Sequence, residues 1–435
     1  MTKKNKVTSS VGHADYISSG HAVKLLCVKL QTFYTYVSRG LVRRHEIPGQ
    51  KRKLYSKSDV ERLAAKSNAR SNTGAKAGDS MRYGNPVVQS VICEITSEGP
   101  VYRNRLATDL AGAKIPFEAV VELLWVGRFR TPQKPWKIET LPKDFFKWTD
   151  RACELDTTKE VDPVGLMIFL LTSLRASGTR EDDASSGNTQ QLAHQLLQVF
   201  AGVSGYLGPK RQFEPIRSEE MLSNCIARGL GVAHDFEAIE AINSALIICA
   251  EHELAPPTFA ARICASTGAD IYACVATGAL AHMGHLQGGG TDGAEDLLEE
   301  VLKPSGRITL PSTQWTSRFD FPGFNHPLYA RDPRAVFLIN LIKNLKSAHP
   351  DSVRVLDLID DIENKMNFYP GITAALVALS LSLGLPRRSA NLIFSVGRTA
   401  GWIAHILEQR MAGFVLRPRA QFVASRPAVD LGSIK

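Results

Sequence analysis

Between Ser266 and Asp292 the chain reads STGADIYACVATGALAHMGHLQGGGTD. Within it Ile271, Cys274, Val275, Gly278 and Ala279 recur at a helical period. A face this small admits a second helix at close range, which places the segment in the interior of a large α-domain. The pattern breaks at Gly288-Gly289-Gly290, where the backbone is free to take positive φ or to lie directly against a ligand. Gln287 stands at this junction, with His282 and His285 just before it. Read by itself, the junction is a Gly-rich helix end followed by a new helix beginning near Asp292.

The chain has material for such an interior. Its 435 residues allow two or three domains with a large buried core, and 44% hydrophobic with 22% charged residues are ordinary for a globular protein. The apolar runs Val164 to Leu171 and Ile372 to Leu385 are shorter than the roughly 20 residues of a spanning helix, so they predict buried helices and no membrane association. The basic N-terminus lacks an apolar stretch and cleavage site of the secretory kind. Seven scattered cysteines without a Cys-x-x-Cys pair argue against a disulfide framework or zinc site, and for reduced thiols in a cytoplasm.

Charge is unevenly placed. Residues 1–70 hold 15 Lys+Arg against 4 Asp+Glu, whereas the remainder holds 37 against 39. This asymmetry predicts a basic module that meets a polyanion, joined to a nearly neutral body. Residues 13–66 read as three short helices. The first carries Ala22, Leu25 and Leu26; the second presents Leu30, Phe33, Tyr34 and Val37 on one face. After the basic segment RRHEIPGQKRKLY, the third comes from SKSDVERLAAK with Ser56 or Ser58 as N-cap. The arrangement resembles the winged helix-turn-helix of MerR- and excisionase-type proteins, although Cys27 and Lys29 occupy the turn where Gly and Ser/Thr are usual. The resemblance implies a second helix in the major groove of duplex DNA, with Gln31, Thr32, Thr35, Tyr36 and Arg39 facing bases. Arg43, Arg44, Lys51, Arg52 and Lys53 would face phosphates. Modules of this shape also dock proteins. Residues 67–84, poor in large apolar side chains, read as a linker.

From residue 85 onwards helical periodicity dominates, with short strand signals at Val87 to Ile95 and Gly99 to Tyr102. Several motifs follow in order: FEAVVELLWVGRF (117–129), AEHELAPPTFAAR (250–262), the Ser266–Asp292 stretch, GFNHPLYARDPRA (323–335), NFYPG (367–371), and FSVGRTAGWIAHILEQR followed by LRPRA (394–420). Together they resemble the citrate synthases over about Pro86 to Arg419. The resemblance implies a mainly α, two-domain fold at residues 85–435. The large domain would be 85–287 with 372–435, the small one 288–371, with the ligand site in the cleft of a dimer.

Citrate synthases join the methyl carbon of acetyl-CoA to the ketone of oxaloacetate. Arg334, Arg398 and Arg417 match the family's carboxylate-binding arginines, the last reaching in from the other subunit. Arginine suits this role because its planar fork binds a carboxylate bidentately at any physiological pH. His326 matches the histidine that hydrogen-bonds the ketone, and His252 one that lines the oxaloacetate pocket. The two reacting positions depart from the pattern. Gln287 stands for the thioester-polarising histidine, and Asn367 for the carboxylate that removes the methyl proton. A glutamine amide still donates a hydrogen bond, but an asparagine accepts no proton at neutral pH. Asn325 also replaces a Gly before His326, and Ala255 an Asn after His-Glu-Leu.

Two readings follow. One is an acyltransferase or related C–C lyase with acyl-CoA as co-substrate and no bound cofactor. The other is a regulator in which a silent cleft senses a di- or tricarboxylate and tunes the DNA-binding module. A third option is a degenerate subunit that pairs with an active citrate synthase paralogue, as a heterodimer rather than a homodimer.

Overall fold

The computed structural model describes residues 16–26, 28, 30–38, 42, 44–46, 53–57, 59–60, 88–129, 133–154, 161–177, 189–303 and 321–418. The chain divides into two compact units, residues 1–89 with 419–435 and residues 90–418.

In the first unit β1 (Tyr16–Ser18) leads into α1 (Ser19–Leu26) and α2 (Leu30–Ser38), followed by β2 (Arg44–Glu46) and β3 (Lys53–Ser56). The strands form an antiparallel sheet in the order β1-β3-β2. Strand β1 is not foreseen by helical periodicity; three residues are too few to show alternation. Ile17, Ala22, Leu26, Phe33, Val42, Tyr55 and Val60 make the core, with the Phe33 ring edge-on to Tyr55 at 4.9 Å. The second helix is turned relative to the expected face. Phe33, Tyr36 and Val37, at i, i+3 and i+4, pack inward, while Leu25, Leu30 and Tyr34 are exposed. Tyr36 is therefore half-buried against the core rather than displayed to solvent. Gln31, Thr32, Thr35, Arg44 and Lys53 are exposed. Ser56 Oγ accepts from the Asp59 amide at 3.4 Å, as a cap at the start of the third helix would. The rest of that helix, Ser58, the 67–84 stretch and Arg39, Arg43, Lys51 and Arg52 lie outside the described residues.

The second unit opens with a small antiparallel sheet of β4 (Cys93–Thr96), β5 (Gly99–Tyr102) and β6 (Arg105–Leu106). Of the strand expected over Val87 to Ile95, Val87 lies outside the described residues; among the rest the strand starts at Cys93, since Val91 is exposed and its amide donates to Glu408 instead of a ladder partner. Helices follow: α3 (Ala107–Gly112), α4 (Phe117–Val126), α5 (Phe145–Glu154), α6 (Pro163–Ala176), α7 (Thr189–Gly202), α8 (Ser204–Leu207) and α9 (Leu222–Leu230). Then come α10 (Phe236–Cys249), α11 (Pro256–Ser266), α12 (Ile271–His282) and α13 (Gly290–Glu299). The last four are α14 (Pro333–Lys343), α15 (Ser352–Met366), α16 (Ile372–Ser382) and α17 (Ser389–Ala412).

Helix α17 is the axis of this unit. Every residue from Ser389 to Ile406 is buried, as a helix surrounded by others requires. Against it lies α12, started by the Asp270 carboxylate accepting from the Ala273 amide at 2.9 Å. The small face behaves as its composition suggests: a Cβ on Gly278 would sit 3.1 Å from Trp402 and 3.3 Å from Ala261. Of the two freedoms expected of the Gly288–Gly290 triplet, positive φ is not used, since none of the three takes it. Its glycines are needed for close packing on their own chain: a Cβ at 288 would meet the His282 ring, and one at 289 the Met283 carbonyl. The apolar runs form α6 and α16, and among the described residues no helix is long and apolar enough to cross a membrane.

Candidate functional site

Arg398 is placed by two glycines. A Cβ on Gly397 would meet the Leu246 carbonyl, and one on Gly401 the Glu251 carboxylate, so only this spacing lets α17 lie on the end of α10. The close seam brings Arg398 Nε to the Cys249 carbonyl at 2.7 Å, with the side chain 4% exposed. Burial lowers the Arg398 pKa, opposed by the attraction of Glu251. Glu251 is fully buried and meets His405 Nε2 at 3.2 Å; His405 Nδ1 in turn faces Arg262, which donates to Gln409 and Glu408. Tyr102 closes this floor, its hydroxyl accepting from the Glu251 amide beside the Ile247 carbonyl.

His252 follows where α10 has ended. Its ring is edge-on to His326 at 5.2 Å, and Tyr329 packs against both, 5.8 Å from His252 and 4.9 Å from His326. Burial, helped by Arg334 and Arg398, drives the His252 pKa well below the usual value. Burial and Arg334 push that of His326 down to about 4. Both imidazoles are therefore neutral at physiological pH, each with one N–H and one lone pair. His326 Nδ1 accepts from the Leu328 amide at 3.1 Å, which leaves Nε2 as the N–H. Arg334 is 2% exposed and gripped by Asp332, Nε to Oδ1 at 3.0 Å and Nη2 to Oδ2 at 2.8 Å. Burial would raise the Asp332 pKa, but the guanidinium overrides it and holds the carboxyl below its ordinary value. Asp332 also caps α14 through the Arg334 amide and accepts from the Ile372 amide at 3.1 Å.

The remaining candidates sit on turns around this cluster. Residues 323–325 and 369–371 cross in a short antiparallel bridge: Asn325 N donates to the Tyr369 carbonyl, and Gly371 N to the Gly323 carbonyl. Asn325, with φ 59°, supplies the left-handed conformation that a Gly would, and its Oδ1 accepts from the Tyr369 amide at 3.2 Å. His326 is thereby tied to the turn that carries Asn367. Asn367 ends α15 in the left-handed region, exposed, with Oδ1 accepting from the Tyr369 hydroxyl at 2.6 Å. Gln287 lies half-buried in a turn closed by its amide to the Gly284 carbonyl at 2.8 Å. The adjoining His282 ring packs on Phe394, over which Arg398 lies at 5.2 Å, so this turn borders the arginine.

Four predicted residues thus gather in one interior patch: His252, His326, Arg334 and Arg398. Arg417 is exposed beyond α17, and among the described residues no hydrogen bond or ion pair joins it to the others. Sequence reasoning missed Tyr329, Asp332 and Glu251. Asp332 was findable, since Asp-Pro-Arg is an N-cap followed by Pro at the first helical position. Ala255 makes no side-chain cap for α11, so its departure from Asn is a lost cap. Among the described residues no group of three His, Cys, Asp or Glu could hold a metal ion.

The family described as citrate synthase, C-terminal domain, matches residues 81–419. Citrate synthase 2 of Bacillus subtilis is 28% identical over 323 residues, 70% of this chain and 85% of the relative. The 2-methylcitrate synthase of Shewanella oneidensis is 26% identical over 345 residues, 77% and 91% of the two chains. Among solved structures, citrate synthase of Thermoplasma acidophilum, in ternary complex with carboxymethyl coenzyme A and oxaloacetate, superposes with a TM-score of 0.67. It is 19% identical, with 82% of this chain and 99% of that chain covered. Citrate synthase of Thermotoga maritima gives a TM-score of 0.58 at 22% identity, over 79% and 95%. The family match over most of the chain, with these relatives and a shared fold, makes this chain a member of the citrate synthase family.

Proposed function

We propose that the cleft binds an oxaloacetate- or citrate-like carboxylate and that this chain, by itself, condenses it with an acyl-CoA poorly. The observation that carries the reading is the contrast between the two halves of the site. Arg398 lies buried beside two neutral histidines with Nη2 unpaired, a setting suited to a carboxylate. Asn367, where the family pattern has its proton acceptor, offers an amide already accepting from Tyr369. General-base catalysis is worth roughly 10²–10⁴ in rate, and an amide supplies none of it. Acyl-CoA as co-substrate, a dimer in which Arg417 completes a second subunit's site, and residues 288–371 as a small domain are parts of the same reading. Titration calorimetry with oxaloacetate should give measurable affinity in the wild type. That affinity should fall at least tenfold in Arg398→Ala, because a charge-assisted pair is lost. A wild type that takes up neither oxaloacetate nor citrate defeats the proposal.

A regulatory role is supported by a separate observation. The basic N-terminal unit packs two short helices on a β2–β3 hairpin, with Gln31, Thr32, Arg44 and Lys53 all exposed. This arrangement supports the reading of a winged helix-turn-helix in which the second helix would enter the major groove of duplex DNA and the β2–β3 strands would touch phosphates. Fluorescence anisotropy of the full chain with duplex DNA should show affinity falling steeply with salt. Arg44→Ala with Lys53→Ala should flatten the log–log slope by about 2, since each phosphate contact releases about one counterion. No binding at low salt would instead favour protein docking.

A further inference from the structure

Three polar atoms in the same interior patch are buried with no hydrogen-bond partner: His252 Nε2, Tyr329 Oη and Arg398 Nη2. Their side chains are 7%, 6% and 4% exposed, so bulk water does not serve them. Buried polar groups in folded proteins are paired, and several orphans side by side mark a place where a ligand completes the set. The family pattern gives roles to the histidines and arginines but none to Tyr329, whose ring lies between His252, His326 and the Arg334 guanidinium. Its chemistry narrows what it can read. A carboxylate is matched by the cationic Arg398, whose Nη2 is unpaired, whereas a neutral phenol and two neutral imidazoles match a neutral oxygen, carbonyl or hydroxyl. Burial raises the Tyr329 pKa to about 12, which keeps the phenol a hydrogen-bond donor throughout the physiological range.

We infer that Tyr329 reads the oxygen substituent beside a carboxylate, donating to it alongside His326, so that the cleft prefers 2-oxo and 2-hydroxy dicarboxylates to their deoxy counterparts. The inference rests on the carboxylate-binding reading above, and one set of titrations separates the two. Wild type and Tyr329→Phe, as full chains, are titrated calorimetrically with oxaloacetate, L-malate and succinate. The wild type should bind oxaloacetate and malate more tightly than succinate. Tyr329→Phe should lose about tenfold for the first two and leave succinate unchanged, since one hydrogen bond is lost only where the ligand oxygen exists. A merely structural tyrosine would weaken all three alike, and that result, or an unchanged preference, overturns the assignment alone. A wild type that binds none of the three overturns the carboxylate reading as well. Because the hydroxyl has no protein partner, the unliganded Phe variant should melt no lower than the wild type. A markedly lower melt, or failure to fold, would mean that the phenol serves the fold rather than the ligand.

Discussion

Asn367→Asp combined with Gln287→His should raise condensation of acetyl-CoA with oxaloacetate by roughly 10²-fold or more over the wild-type chain, the range expected when a general base is restored. The backbone will accept the change at 367, because Asp tolerates the left-handed conformation, φ 56°, in which Asn367 ends α15. The new carboxylate would accept from the Tyr369 hydroxyl, now 2.6 Å from Asn367 Oδ1. Position 367 is exposed, so the carboxylate would be ionised at neutral pH, as a base must be. Asn367→Asp alone should do more than Gln287→His alone, since glutamine still donates a hydrogen bond while asparagine takes no proton. Release of free thiol from acetyl-CoA measures the rate. Strong condensation by the unmodified chain, unchanged or reduced in Asn367→Asp, would place the base elsewhere.

Asp332→Ala should cost the body roughly 3–5 kcal/mol, the penalty for leaving a buried charge unpaired. Arg334 and Asp332 are each 2% exposed and joined by two hydrogen bonds, and Asp332 also caps α14 and holds the Ile372 amide. Asp332→Asn keeps an acceptor for the cap while losing the charge, so its loss should be smaller. Urea unfolding followed by circular dichroism makes the comparison. A loss below about 1 kcal/mol in Asp332→Ala would show that Arg334 finds another anion or reaches water.

Much of the fold was legible because its signals are local or strongly periodic. The small-residue face of α12 lies within one stretch of chain, and α12 is where the pattern put it. The unit at the N-terminus was less legible. Periodicity put Leu30 and Tyr34 on one face with Phe33 and Val37, but only Phe33 and Val37 pack inward, because the facing ring is Tyr55, more than twenty residues away. At the site, residue identity carried His252, His326, Arg334 and Arg398 to one place. Tyr329 and Glu251 escaped notice because their significance is spatial: an orphaned hydroxyl and a buried carboxylate show only when their surroundings are known. The Gly triplet teaches the same lesson. Its glycines are there to avoid the chain's own His282 and Met283, not for unusual torsion angles.

The glycine seam between α17 and α10 has a mechanical consequence. With Gly397 and Gly401 pressed on Leu246 and Glu251, α17 cannot slide or roll without driving a Cβ into backbone or a carboxylate. Arg398 therefore behaves as a fixed jaw. The opposing 323–334 segment is held at Asp332 and at the Asn325–Tyr369 crossing and carries exposed residues between. On the carboxylate-binding reading proposed above, grip on the ligand would depend on how cheaply the 323–334 segment shifts against this jaw, and changes in its stiffness would alter affinity without touching the arginine itself.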